Sequence, residues 1–175
     1  MKHPRMLMLG MLAAICAASS ASAHGPGAHV HGVARLDVAV DGGTLTLGLE
    51  SPLDNLVGFE HQPRTETQRT AVRTMTAALD KPESLFVASA AAQCVSISVK
   101  LESPVLEPAA KDAGDGHADL DGEFVFRCAH PEALHGVEVK LFAAFPHLQR
   151  VNAQIAGPRN QTAVVLTAQQ PRAAW

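Results

Sequence analysis

Alternating apolar and polar residues after position 32 predict a β-hairpin. Every second residue is apolar on both sides of a polar break: Leu36, Val38, Val40, Leu45, Leu47 and Leu49. The break is Asp41-Gly42-Gly43, whose residues tolerate the positive φ angles of a tight turn. Proline lacks the N–H of a strand ladder, so Pro52 ends the second strand. The hairpin is therefore expected to bury one face.

The period changes to that of a helix over residues 63–80. Apolar residues there recur at steps of three and four: Ala71, Val72, Met75, Ala78 and Leu79. Thr65 is the predicted N-cap, with Gln68 three residues later as in a capping box. Single helical turns are predicted over residues 54–59 and 82–86, the second because proline suits a first helical position.

The remaining segments read as strands joined by turns, and the predicted strands cover residues 94–101, 122–128, 137–145, 151–155 and 163–167. A long polar segment over residues 102–120 is expected to be a mobile loop. Loops of this length are uncommon in compact domains, and those that occur are usually functional or mobile. The chain is therefore predicted to be an α+β protein. Its sheet is mostly antiparallel, with about six to seven strands and one main amphipathic helix.

The N-terminus has the three parts of a secretion signal. Lys2 and Arg5 precede an uncharged apolar stretch over residues 6–18, and Ala21-Ser22-Ala23 follows. The apolar stretch is too short to span a hydrocarbon core of roughly 30 Å as a stable helix. We therefore expect cleavage after Ala23, with residues 1–23 removed and residues 24–175 forming one exported domain.

Charge and cysteine content narrow the function classes. The formal net charge is −3 and no basic run occurs, which argues against nucleic acid and anionic membrane surfaces as partners. Cys16 leaves with the signal, so Cys94 and Cys128 are expected to form a disulfide in an oxidising compartment. Such a link stabilises by roughly 3–4 kcal/mol in the chain-entropy model. The alternative is a pair of thiolate ligands to zinc.

Histidines are the candidate metal ligands. His29 and His31 flank one residue where the first strand is expected to begin, so both side chains would point to the same side and could share a metal ion. His117 and Asp119 repeat this spacing with an imidazole and a carboxylate, and His61 follows Glu60. Each could instead be an ordinary polar surface residue or a structural hydrogen-bonding residue.

Signatures of common enzymes are missing from the sequence. It has no His-Glu-x-x-His, no Gly-x-Ser-x-Gly and no phosphate-binding glycine loop. We therefore expect a non-catalytic protein. A zinc-bound water could still support hydrolysis, but no residue pair points to a general base.

Two blocks of sequence carry a family resemblance. Residues 28–32 read Ala-His-Val-His-Gly, and residues 50–61 read Glu-Ser-Pro-Leu-Asp-Asn-Leu-Val-Gly-Phe-Glu-His. Together with Cys94, residues 117–119 and Cys128, they resemble the ZrgA-type periplasmic zinc-binding proteins, a family of Gram-negative bacteria otherwise catalogued as a domain of unknown function. The resemblance spans essentially the whole mature chain. Family members often carry a long insert rich in His, Asp and Glu, which is reduced here to residues 107–121 with one histidine.

The resemblance implies a periplasmic protein that captures or buffers Zn²⁺ for an ABC-type uptake system. The ligands are expected to come from a small set: His29, His31, His61, His117 and Asp119. Imidazole and carboxylate ligands also suit Cu²⁺ and Ni²⁺, so the ligand types do not fix the metal. The shortened insert favours one principal site. Two alternatives remain open, an interaction module of an envelope complex and a zinc hydrolase.

Overall fold

The predicted hairpin lies at the centre of the main sheet. In the computed structural model, which describes residues 30–107, 118–158 and 160–175, β1 (Val33–Asp41) pairs with β2 (Thr44–Pro52). Gly42 has a φ of +52° in the connecting turn, a backbone region that favours glycine. The inward side chains are almost fully buried: Leu36, Val38, Leu45, Leu47 and Leu49. The hairpin prediction is confirmed.

The described residues form two sheets, one of six strands and one of three. The other strands are β3 (Phe86–Ala88), β4 (Cys94–Glu102), β5 (Asp119–Cys128), β6 (Gly136–Val139), β7 (Arg150–Ala156), β8 (Gln161–Leu166) and β9 (Arg172–Ala174). The main sheet has the order β4-β5-β2-β1-β7-β8, antiparallel throughout except for the parallel pair β1–β7. The small antiparallel sheet has the order β3-β6-β9. The α+β class is confirmed.

One long helix and three short ones connect the strands of the described residues: α1 (Leu53–Val57), α2 (Glu66–Leu79), α3 (Pro82–Leu85) and α4 (Leu141–Ala144). Helix α2 begins as predicted. Thr65 Oγ1 accepts a hydrogen bond from the Gln68 N–H at 3.2 Å, and Gln68 Oε1 accepts one from the Thr65 N–H at 3.2 Å. Val72, Met75 and Leu79 bring the apolar face of α2 into the core shared with the sheets.

The strand predicted over residues 137–145 is wrong in its second half. Strand β6 ends at Val139, and residues Leu141–Ala144 form α4. The Phe145 N–H donates to the Leu141 carbonyl at 2.8 Å, and both side chains are buried four residues apart. A short apolar run fits the inner face of a strand or of a helix, so periodicity alone cannot separate the two.

The polar segment over residues 102–120 is structured at both ends. Glu102 is the last residue of β4, Pro104–Leu106 form a 3₁₀ turn, and β5 begins at Asp119. Residues 108–117 and the predicted signal peptide, residues 1–23, lie outside the described residues. Within the part that is described, no helix is long and apolar enough to cross a membrane.

The predicted disulfide joins the edge strand β4 to β5. Cys94 and Cys128 are directly opposite in the antiparallel register, with an S–S distance of 2.04 Å. The link closes a sequence separation of 34 residues. Since the two cysteines are bonded to each other, they supply no thiolates to a metal ion.

Candidate metal site

His31 lies in a tight turn just before β1. The Val33 N–H donates to the Val30 carbonyl at 3.0 Å and closes the turn, and Gly32 has a φ of +80°. That left-handed value suits glycine at the third position of a four-residue turn. Strand β1 begins at Val33, two residues after His31. The expectation that His31 lies at the start of the strand is therefore wrong, because His31 belongs to the preceding turn. His29 lies outside the described residues.

A buried asparagine attaches this turn to α1. Asn55 Oδ1 accepts a hydrogen bond from the Gly32 N–H at 2.6 Å, and its Nδ2 donates to the Val33 carbonyl at 2.9 Å. The asparagine is 1% exposed. These bonds place His31 beside the residues of α1 and the loop that follows it.

Two carboxylates flank the imidazole ring of His31. Its Nε2 lies 3.2 Å from Glu60 Oε1, and its Nδ1 lies 3.7 Å from Asp54 Oδ2. Asp54 belongs to α1, and Glu60 follows Gly58, which ends the helix with a φ of +81°. The His31 side chain is 60% exposed, whereas that of Glu60 is only 9% exposed. An accessible imidazole thus lies against a carboxylate that is largely shielded from solvent.

The spacing of His31 and Glu60 suits two ligands of one zinc ion. Zinc binds imidazole nitrogen at about 2.0–2.1 Å and carboxylate oxygen at about 2.0–2.2 Å in a tetrahedron, which separates ligand atoms by about 3.4 Å. The observed 3.2 Å is close to that value. Asp54 faces the other ring nitrogen, the position from which a carboxylate orients a metal-bound histidine.

The pair alone does not complete a metal site. Across residues 30–107, 118–158 and 160–175, no group of three or more His, Cys, Asp or Glu residues is arranged to hold a metal ion. Zinc sites need four ligands, some of which can be water. Any zinc bound at His31 and Glu60 therefore needs further ligands beyond these two.

His61 makes different contacts from those of His31. Its Nδ1 lies 2.8 Å from the Gln62 carbonyl oxygen, and its ring is 5.2 Å from the ring of Phe59. Gln62 Nε2 in turn donates to the Pro104 carbonyl at 2.6 Å, which ties this loop to the segment after β4. Among the described residues, the contacts of the His61 ring are with Gln62 and Phe59, not with His31 or Glu60.

Asp119 lies at the same end of the main sheet as α1. It begins β5 opposite Pro52, and its carbonyl accepts a hydrogen bond from Ser103 Oγ at 2.6 Å. The neighbouring Ala118 carbonyl accepts one from the Leu53 N–H, at 2.9 Å. The start of β5 is thus fastened beside the start of α1. His117, the predicted companion of Asp119, lies outside the described residues.

Further acidic residues line the solvent face of the sheet next to Asp119. Glu50, Asp121 and Glu102 are opposite one another in the register of β2, β5 and β4. Burial raises the pKa of Asp121, and the charges of Glu50, Asp119 and Glu102 raise it further. The negative charge at this end of the sheet is therefore concentrated enough to oppose ionisation of one of its own carboxyls.

The comparison with protein families identifies the chain. The family described as ZrgA family zinc uptake protein matches residues 28–175, which include every described element and the disulfide. The chain belongs to the ZrgA family. The resemblance inferred from the two sequence blocks is confirmed, and with it a role connected with zinc. No curated protein matches the chain.

Sequence reasoning missed two residues of the candidate site in this ZrgA protein, Asp54 and Glu60. Both belong to the block over residues 50–61 that carries the family resemblance, yet neither was expected to contact His31. The signal available was the Glu60-His61 pair, an acidic residue beside a histidine. That signal drew attention to His61, whereas the structure places Glu60 against His31.

Proposed function

We propose that this protein binds Zn²⁺ through His31 and Glu60 and serves zinc uptake as a non-catalytic carrier. The observation that carries the proposal is the 3.2 Å separation of His31 Nε2 from Glu60 Oε1. A carboxylate with little solvent contact is stabilised by a cation, and a neutral imidazole beside it supplies a second ligand. The zinc role of the ZrgA family supports this choice of metal.

The remaining ligands are proposed from the residues expected to bind metal. His29 is one residue before Val30 in the His31 turn, and His117 is one residue before Ala118, which is hydrogen-bonded to α1. Asp119 begins the neighbouring strand. His61 would coordinate through Nε2, because its Nδ1 faces the Gln62 carbonyl. One or two of these groups, with water, would complete a tetrahedral site.

The proposed cellular role rests on the expected secretion signal and on the zinc uptake role of the ZrgA family. We propose that the protein is periplasmic after cleavage at Ala23, and that it captures or buffers zinc for an ABC-type transporter. The proposed ligands are a nitrogen of His31 and an oxygen of Glu60, and the His31 side chain is exposed. A bound ion can therefore exchange with solvent, which a carrier requires. The same ligands accept Cu²⁺ and Ni²⁺, so selectivity has to be measured directly.

Calorimetry on mature protein purified without a histidine tag tests the proposal. We expect one principal zinc site, and we expect His31→Ala to weaken it by more than about tenfold, because a lost ligand removes a metal bond. His135→Ala is the matched control, since His135 is exposed and its hydrogen bonds use its backbone N–H and carbonyl. Wild-type protein that takes up no zinc, or a His31→Ala variant that binds like wild type, contradicts the proposal.

A further inference from the structure

We propose that Asn55 is a positioning residue that holds the His31 turn ready for zinc before the ion arrives. This inference rests on the proposed function, since it concerns the site formed by His31 and Glu60. Asn55 would not touch the metal. Its role would be to fix the backbone that carries the first ligand.

The side chain of Asn55 is bonded at both ends. Its Oδ1 accepts from the Gly32 N–H at 2.6 Å, and its Nδ2 donates to the Val33 carbonyl at 2.9 Å and to Ser51 Oγ at 3.1 Å. It is 1% exposed, in a part of the core where an unbonded amide would be unfavourable. One side chain therefore joins the His31 turn, the start of β1, the end of β2 and α1.

The residue after His31, Gly32, is also held through its carbonyl. The Gly32 carbonyl accepts hydrogen bonds from the N–H groups of Gln149, at 2.8 Å, and Arg150, at 2.9 Å. The Gly32 N–H is the group that Asn55 binds. With both polar groups of Gly32 fixed, the orientation of His31 relative to α1 depends on the Asn55 amide.

Asn55 also follows directly after Asp54. Asn55 points into the core, while the carboxylate of Asp54 lies 3.7 Å from His31 Nδ1. A single turn of helix thus anchors the backbone of His31 and presents a carboxylate to its ring. Preorganisation of this kind increases affinity because less conformational freedom is lost on binding.

A purely structural asparagine makes a different prediction from a positioning one. If Asn55 only satisfies buried backbone groups, its replacement lowers stability but leaves the zinc affinity of the folded protein unchanged. If it positions His31, zinc affinity falls even in protein that is fully folded. Zinc affinity of folded protein is therefore the readout that separates the two roles.

The test compares Asn55→Ala with Val38→Ala by zinc calorimetry under conditions where circular dichroism shows both variants folded. Val38 is buried in β1, away from the turn, so its truncation lowers stability without touching the site. We expect Asn55→Ala to weaken zinc binding by about 10- to 100-fold, as for loss of other groups that orient ligands. We expect Val38→Ala to bind like wild type.

Gly32→Ala provides a second variant that leaves the asparagine in place. Its φ of +80° strains any side chain, and the added Cβ would lie 3.1 Å from the side chain of Gln149. We expect a comparable loss of zinc affinity. The exchange rate of the Gly32 amide in zinc-free wild-type protein tests the same idea without any substitution. Protection before zinc is added supports a turn that is already fixed.

The outcomes separate this inference from the proposed function. Wild-type protein that binds zinc, with Asn55→Ala binding equally well, overturns the positioning role alone. Zinc binding that survives His31→Ala, or no zinc binding by the wild type, overturns both. If Asn55→Ala does not fold, Gly32→Ala decides: folded Gly32→Ala that binds zinc like wild type overturns the positioning role, and weakened binding supports it.

Discussion

His31 Nε2 and Glu60 Oε1 lie 3.2 Å apart, although the whole β1–β2 hairpin and α1 separate the two residues in the sequence. The two side chains differ in accessibility, with His31 60% exposed and Glu60 9% exposed. A zinc ion between them would be bound by the shielded Glu60 carboxylate on one side and by the solvent-accessible His31 imidazole on the other. This arrangement suits an ion that must enter and leave without unfolding of the protein.

The first prediction concerns Glu60→Gln. The amide keeps the size of the side chain but removes the negative charge that a zinc ligand provides, so we expect zinc affinity to fall by at least about tenfold. Calorimetry on mature protein without a tag measures the change.

The matched control for Glu60→Gln is Glu132→Gln. Glu132 also lies beside a histidine, with Oε1 3.6 Å from His130 Nδ1, but the two side chains are 75% and 51% exposed. We expect Glu132→Gln to leave zinc affinity unchanged. An equal loss in both variants would point to general electrostatic attraction rather than to a site at Glu60.

The second prediction concerns the Cys94–Cys128 disulfide. Replacing both cysteines with alanine removes a link that closes 34 residues, and we expect the free energy of unfolding to fall by about 3–4 kcal/mol. Guanidinium unfolding monitored by circular dichroism measures the loss. The disulfide is at the opposite end of the β4–β5 ladder from Asp119, so zinc affinity of the folded variant should be retained.

Intact mass after alkylation provides an independent check of the disulfide. Mature wild-type protein should take up no alkylating group before reduction and two after it. Alkylation of Cys94 or Cys128 without reduction, suppressed by added zinc, would instead favour the thiolate-ligand alternative.

Local signals explain which elements could be predicted from the sequence. The alternation through Leu45 and Leu47 and the cap formed by Thr65 and Gln68 are both complete within a few residues. Strands β3 and β9 have three residues each, which is too short to show the alternation of apolar and polar residues that predicts a strand. Each is defined by its pairing with β6. Similarly, only tertiary packing decides that Leu141 begins a helix rather than continuing a strand.

The candidate site was less predictable than the fold because its contacts join residues that are far apart in the sequence. His31 stood out through its spacing from His29, but its partner Glu60 is distant in sequence and lies beside it in the fold, where Asn55 binds the Gly32 N–H and Gly58 ends α1. A buried asparagine bonded to two backbone groups leaves no periodic signal in a sequence. The pairing of Cys94 with Cys128 was accessible because only two cysteines follow the expected signal.

The third prediction tests the capping box of α2. Thr65→Ala removes the oxygen that accepts from the Gln68 N–H, and we expect a loss of about 1 kcal/mol in the free energy of unfolding. Thr67→Ala is the matched control, because it removes the same hydroxyl from the same exposed turn without removing the cap. Urea unfolding of both variants measures the difference. Equal stability of the two would contradict the capping role.

The last prediction concerns Asp121, whose pKa is raised by burial and by the charges of Glu50, Asp119 and Glu102. A carboxyl with a higher pKa in the folded state binds protons more readily there than in the unfolded chain. Its contribution to stability is therefore present below its ordinary pKa of about 4 and is lost as the pH rises through the raised folded value. At neutral pH the ionised Asp121 carboxylate opposes folding.

Asp121→Asn should consequently stabilise the protein at pH 7, by at most about 0.5 kcal/mol because solvent screens this face of the sheet. The gain should shrink as the pH falls through the raised pKa of folded Asp121 and should be smallest below about 4, where the carboxyl is protonated in the folded and the unfolded protein. Asp37→Asn is the control of opposite sign, since Asp37 Oδ2 lies 2.8 Å from Arg35 Nη2 and its loss should not stabilise. Melting temperatures of the three proteins across this pH range measure the effect. A gain that persists at low pH would mean that a property other than the charge of Asp121 is responsible.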